Sequence, residues 1–169
     1  VRNLFADFQK KGKKVVVYVA ETNTLGYFVA SQADTIMADP AGGVWLIGVS
    51  SSVLFYEELL SNVGVKGQAV RIGKFKSFPE SFTRNTPSEE LSLVKQTLTD
   101  GIYAEIVQGI AKARGKDPAE VEAWIEKGPY TANELKKNGL VDHVVHVDQL
   151  SKRLGKDLGV PVVLQKGFA

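Results

Sequence analysis

Lys13-Lys-Val-Val-Val-Tyr-Val-Ala20 is a nearly continuous β-branched run. That is the pattern of a strand buried in a parallel sheet, where neither face meets water. Before it, Val1-Arg-Asn-Leu-Phe-Ala-Asp-Phe-Gln-Lys-Lys-Gly12 reads as a helix ending at glycine. After it, Glu21-Thr-Asn-Thr24 is expected to turn, and Leu25 to Ala33 to form a short helix. Asp34-Thr-Ile-Met-Ala38 and Val44-Trp-Leu-Ile47 read as two short strands split by the turn signal Asp39-Pro-Ala-Gly-Gly43. A helix is expected from about Ser51 to Asn62, stopped by Gly64. Gly67-Gln-Ala-Val-Arg-Ile72 then reads as another strand.

Three helix starts repeat one piece of local chemistry. Thr86-Pro87-Ser88-Glu89, Asp117-Pro118-Ala119-Glu120 and Thr131-Ala132-Asn133-Glu134 each set an N-cap residue three before a glutamate. The cap oxygen accepts an orphan backbone N–H, the glutamate reaches back, and two of the starts carry proline at the first helical position. The first helix is long, with Leu91, Val94, Leu98, Ile102, Ile106 and Ile110 as an apolar stripe, and ends at Gly115. The third ends at Gly139, and Val144-Val145 and Val160 to Leu164 read as further short strands. Alternating strands and helices make this an α/β chain with a largely parallel sheet, flanking helices and a helix-rich segment over 87–139.

The chain has 169 residues, enough for one domain with its own core, and the whole span 1–169 is expected to form it. Hydrophobic residues at 44% and charged residues at 24% are ordinary for a globular protein. A net charge of +2, with the basic residues dispersed, argues against a dedicated nucleic-acid surface. The absence of cysteine excludes disulfides, thiolate nucleophiles and cysteine metal sites. No apolar run approaches the roughly 18 residues that span a bilayer, and no signal peptide opens the chain. The first residues read as a helix already under way without an initiator methionine. The expectation is therefore a piece of a longer protein, with any membrane segment outside it.

No metal or cofactor site is expected. His143 and His146 lie three apart in a strand-like stretch, so they would point to opposite faces. Ala41-Gly-Gly43 lacks the lysine and the spacing of a phosphate loop. Ser50-Ser51-Ser52 reads as an N-cap for the helix that follows it, and Trp45 and Trp124 as packing residues. Lys76 stands out, because Phe75, Phe78 and Phe82 flank it in Arg71-Ile-Gly-Lys-Phe-Lys-Ser-Phe-Pro-Glu-Ser-Phe-Thr-Arg84. An ammonium held among such groups loses solvation, which favours the neutral amine that can act as a base. The competing reading is that Lys74 and Lys76 are solvated surface lysines beside phenylalanines, as most lysines are exposed.

Four segments in order carry a resemblance. They are Gly26-Tyr-Phe-Val-Ala-Ser-Gln-Ala-Asp-Thr-Ile-Met-Ala38, then Ile47-Gly48-Val49, then Gly73-Lys-Phe-Lys-Ser-Phe-Pro-Glu-Ser-Phe82, and last Tyr130-Thr131-Ala132 with Asn138-Gly-Leu-Val-Asp142. Together they resemble the signal peptide peptidase A (protease IV) family, serine proteases with a lysine base on a crotonase/ClpP-like fold. The resemblance makes Lys76 the general base and places Ser77 and Glu80 at motif positions with no assigned step. Phe78 and Ser81 depart from the usual small residue and proline. Thr24 stands where the family's nucleophilic serine would be, Leu25 where its first glycine would be, and Leu46 where a second serine would orient the lysine. Threonine is a poor substitute, since its β-methyl and the bulk of Leu25 crowd the attack.

This pattern is similar to the amino-terminal, lysine-bearing half of two-domain members. The resemblance implies that the serine comes from a second domain of the same protein, completing a Ser-Lys dyad. It further implies a homo-oligomer that degrades hydrophobic signal peptides, anchored through a segment absent here in the bacterial cytoplasmic membrane and facing the periplasmic side. The competing reading is a catalytically inactive homologue acting as a peptide-binding or assembly domain. An acyl-CoA enzyme is a third reading, but no acid/base carboxylate pair is placed for it.

Overall fold

The valine-rich run forms β1 (Val16–Asn23) in the computed structural model, which describes residues 1–165 and Gly167. Lys166, Phe168 and Ala169, the end of the span expected as one domain, lie outside the described residues. The chain divides into two compact units. One is Val1–Gly48 with the residues from Ile106 onward, and the other is Val49–Glu105.

The first unit holds the sheet. Helix α1 (Arg2–Lys10) leads into β1, and α2 (Thr24–Ala30) into β2 (Thr35–Trp45). β1 and β2 run parallel, with Val16 opposite Thr35 and Val19 opposite Ala38. On its other edge β2 pairs with two short strands, antiparallel with β3 (Tyr130–Thr131) and parallel with β4 (His143–Val144). The sheet is thus largely parallel and flanked by helices, the α/β class read from the sequence.

Two local readings gave way to strand pairing. Glu21 to Asn23, expected as a turn, continue β1 because they pair with Gly43, Val44 and Trp45. The Asp39 to Gly43 turn signal lies inside β2 as a bulge, where the register jumps from Val19 opposite Ala38 to Glu21 opposite Gly43. Asp39 folds the bulge by accepting the Ala41 N–H at 2.9 Å, and the Tyr18 hydroxyl donates to its other oxygen at 2.6 Å. A side chain on Gly42 would place its Cβ 1.8 Å from the Ala20 carbonyl oxygen, so only glycine fits that crossing.

The core lies over this sheet. Tyr27, Ile36, Met37, Val44, Leu46 and Leu140 are buried, each contributing on the order of 1.5–3 kcal/mol for the larger side chains. The buried Tyr27 hydroxyl donates to the Leu140 carbonyl at 2.8 Å. Asp142 ties the closing Gly139-Leu-Val-Asp142 motif to the sheet. It accepts the Ile36 N–H at 2.7 Å and pairs with Arg114 through both oxygens, at 2.9 and 3.2 Å.

The helix starts were mostly legible. Asp117 caps α6 (Pro118–Lys127) by accepting the Ala119 N–H, and Thr131 and Glu134 form the full capping box of α7 (Ala132–Lys137). The long helix α5 (Glu89–Arg114) starts two residues later than expected: Ser88, not Thr86, caps it by accepting the Leu91 N–H at 3.1 Å. Its stripe is buried only at the ends, for Leu91, Ile106 and Ile110; Val94, Leu98 and Ile102 are exposed. Trp124 is buried as expected, whereas Trp45 is half exposed and donates to Glu21 at 2.9 Å.

The second unit is poorer in regular structure. Besides the part of α5 up to Glu105 it holds α3 (Glu57–Asn62), shorter than the expected Ser51–Asn62, and α4 (Glu80–Thr83), a single turn. Gly67 to Ile72 form no strand. In the first unit, Val160 to Leu164 also form no strand; after α8 (Leu150–Leu158) the Ser151 hydroxyl straps the Val162 carbonyl instead.

Candidate active site

The loop bearing Lys76 belongs to the second unit, and residues 65–79 contain neither helix nor strand. Gly73 turns the chain at φ +95°, a conformation that favours glycine. The Lys76 N–H then donates to the Gly73 carbonyl at 3.3 Å. Lys76 is exposed, and its ammonium has no hydrogen-bond or ion-pair partner among the described residues. The expected enclosure by aromatic neighbours is not there. Phe75 and Phe78 are 57% and 82% exposed, and Phe82 stacks on Tyr56 with centroids 5.8 Å apart. Phe75 and Phe78 instead line an open depression of about 710 Å³ with Val70, Ile72 and Lys76. A second depression of about 610 Å³ lies beside Phe75, floored by Leu93, Val94, Leu98 and Ile102 of α5.

Beneath this apolar surface the loop buries charge. Glu80 is 3% exposed. One oxygen accepts from the Ser88 hydroxyl at 2.8 Å and from Arg71 Nη1 at 2.9 Å; the other accepts the Ser88 N–H at 3.0 Å. Burial alone would push this carboxyl up, but the Ser88 hydroxyl, the Ser88 N–H and the Arg71 guanidinium together hold it below the usual carboxylate range. The sequence singled out Glu80 by motif position only. No spacing rule ties it to Arg71 and Ser88, because the loop between them has no periodicity.

In the first unit, Thr24 opens α2 and is buried. Its hydroxyl donates to the Ile47 carbonyl at 2.6 Å and accepts the Ile47 N–H at 2.9 Å. A hydroxyl clamped from both sides by one residue's backbone is a structural tie, with its single proton already committed. The Gly26 N–H beyond it is capped by Asn23 at 3.0 Å, and Leu25 is exposed. Leu46, at the place of the second serine, is fully buried. Ser51 does not cap a helix, since α3 begins at Glu57; its hydroxyl accepts from Lys95 at 2.9 Å.

The two histidines are separated by the end of β4. His143 Nε2 lies 3.0 Å from Arg153 and 3.4 Å from Asp157. Partial burial and the Arg153 charge push this imidazole below its ordinary range. His146 precedes a 3-10 turn at Val147–Gln149. Among the described residues, no three His, Asp or Glu side chains converge as a metal site, and no helix is long and apolar enough to cross a membrane.

The sequence profile of peptidase family S49 matches residues 7–161, nearly the whole chain. This chain belongs to peptidase family S49. Among curated S49 relatives, the chloroplastic serine protease SPPA of Arabidopsis thaliana is 30% identical over 100% of this chain and 26% of its own length. A putative signal peptide peptidase SppA of Enterococcus faecium is 30% identical over 85% of this chain and 42% of its own. Protease 4 of Haemophilus influenzae is 31% identical over 90% of this chain and 26% of its own. The S49 chain therefore spans between about a quarter and under half the length of these relatives. A solved structure of a membrane-bound stomatin-specific protease superposes with a TM-score of 0.49, at 18% identity, over 89% of this chain and 60% of that one. That likeness is too distant to transfer a site.

Proposed function

We propose that this S49 chain supplies the lysine of a Ser-Lys dyad endopeptidase and that the serine is brought by a second domain of the same protein. One observation carries the reading. An S49 chain displays Lys76 on an open apolar surface, while the residue in the usual serine's place, Thr24, has its hydroxyl committed to Ile47. A base with no nucleophile of its own needs a neighbour, and a neighbour packed over Phe75 and Phe78 would expel the water that keeps an ammonium charged. The neutral Lys76 amine would then take the proton of the serine hydroxyl as it attacks the scissile carbonyl. It would return that proton to the leaving amine, and water would clear the acyl-enzyme by the same route.

The exposed apolar groups around Lys76 and along α5 also support homo-oligomer assembly and extended hydrophobic substrates. The relatives named as signal peptide peptidases support cleaved signal peptides as those substrates. By the same analogy, the complete protein would work at the bacterial cytoplasmic membrane, with this domain on the periplasmic side. The test is Lys76→Ala in the complete protein, assayed on an apolar peptide. Loss of a general base lowers kcat by about 10²–10⁴-fold; unchanged turnover would refute the assignment.

A further inference from the structure

The Lys76 loop inverts the usual arrangement of side chains. Ile72, Phe75 and Phe78 face solvent, while Glu80 is buried with its charge paired. Carboxylates are almost never buried unless paired. A buried ion pair adds little stability over an apolar replacement, and its best-attested use is to fix one geometry. The bonding pattern shows which geometry is held. Ser88 caps α5 and gives both its hydroxyl and its N–H to Glu80. Glu80 holds Arg71, and the same Arg71 Nη1 reaches the carbonyl oxygen of Lys76 at 3.4 Å. The loop from Arg71 to Glu80 is thus closed at its base by a charge pair anchored on a helix end, with Lys76 on the enclosed span.

We propose that the Arg71–Glu80–Ser88 network is a positioning device that sets the main chain of Lys76 relative to α5, so that the amine meets a hydroxyl arriving from another domain in one fixed place. This rests on the reading of Lys76 as the base. Glu80 and Arg71 touch no reacting atom; they act through Lys76. The device answers a physical need. A base carried on four rotatable methylenes and an irregular loop loses most of its effective concentration unless the loop is held, and a shift of about 1 Å costs roughly 100-fold in rate. The large apolar side chains of the loop, Ile72, Phe75 and Phe78, are committed to the outer surface and do not staple it from within.

The experiment uses the complete protein with Glu80→Gln, which keeps the shape but turns donor N–H groups toward Ser88 or Arg71. Steady-state kinetics on an apolar peptide would be paired with hydrogen exchange over residues 71–80. The expected result is a kcat lower by about 10- to 100-fold with KM within about twofold, and faster exchange at the Lys76 and Glu80 N–H groups. A purely structural role would instead lower the melting temperature and leave turnover per folded molecule intact. Arg71→Gln, on the exposed side of the pair, gives the same readout if Glu80→Gln fails to fold. Wild-type kcat, a change confined to KM, or slowed turnover without faster exchange in that loop would each overturn the proposal. Wild-type turnover by Lys76→Ala would overturn the base assignment, and the positioning role with it.

Discussion

Replacing Asp142 with alanine tests how the closing motif holds the S49 chain together. Asp142 accepts one buried backbone N–H, from Ile36, and two bonds from Arg114, whose side chain is only 12% exposed. Removing one partner of a buried pair costs about 3–5 kcal/mol. Asp142 is itself about one-third exposed, at 34%, so water can screen the orphaned arginine and the charge part falls to about 1–2 kcal/mol. The unsatisfied Ile36 N–H adds about 1–2 kcal/mol, because Ile36 is fully buried at the centre of the sheet. The sum is about 3 kcal/mol, and at this chain length each kcal/mol lowers Tm by about 2–4 °C. Thermal unfolding followed by circular dichroism should therefore show a loss of about 6–12 °C. Asp142→Asn should fall between the two, since its carbonyl can still accept from Ile36 while the charge is gone. A loss under about 2 °C for Asp142→Ala would refute the reasoning, as would an Asn variant less stable than the Ala one.

Thr24→Ser should lower Tm by no more than about 2–4 °C, because serine can make the same two bonds to Ile47 and only the buried β-methyl is lost. It should also remain unlabelled by a fluorophosphonate probe, and stoichiometric labelling at residue 24 would show that the clamp does not silence the hydroxyl. The stability of the chain should also depend on acid. Burial would raise the carboxyls of Asp34, Glu80 and Asp142, but hydrogen bonds and the charges of Lys14, Arg71 and Arg114 outweigh it and hold all three low. Folded carboxyls held below their unfolded values stabilise the native state above about pH 4–5, and that share is lost as pH falls through the folded values. Urea midpoints should decline slightly below about pH 6.5, where the unfolded chain protonates His143 more readily than the fold does, and drop steeply below about pH 4; a midpoint that rises on acidification would contradict the assigned bonds.

How much of this protein was legible in the sequence follows the range of the forces involved. The strand at Val16, the caps at Asp117 and Thr131 and the helix ends at Gly115 and Gly139 were readable, because capping and periodicity act within one turn or one strand. The burial of that strand on both faces was not borne out, since β1 lies at the edge of the sheet and only its Val19 is buried. Lys76 was found by motif and by its phenylalanine neighbours. Of its two readings, enclosed or solvated, the structure shows the solvated one, and a flanking aromatic residue could not decide between them because it says nothing about which way an irregular loop turns.

Only the tertiary structure decided the rest. Pairing with a strand some twenty residues away turned Glu21 to Asn23 from a turn into β1, and made the Asp39 to Gly43 turn a bulge. The tertiary fold also brought Ile47 onto the Thr24 hydroxyl and, in the second unit, Arg71 and Ser88 onto Glu80. Bonds between residues that share no local period leave no trace in the order of the chain, because they form only when the backbone has already brought both partners together.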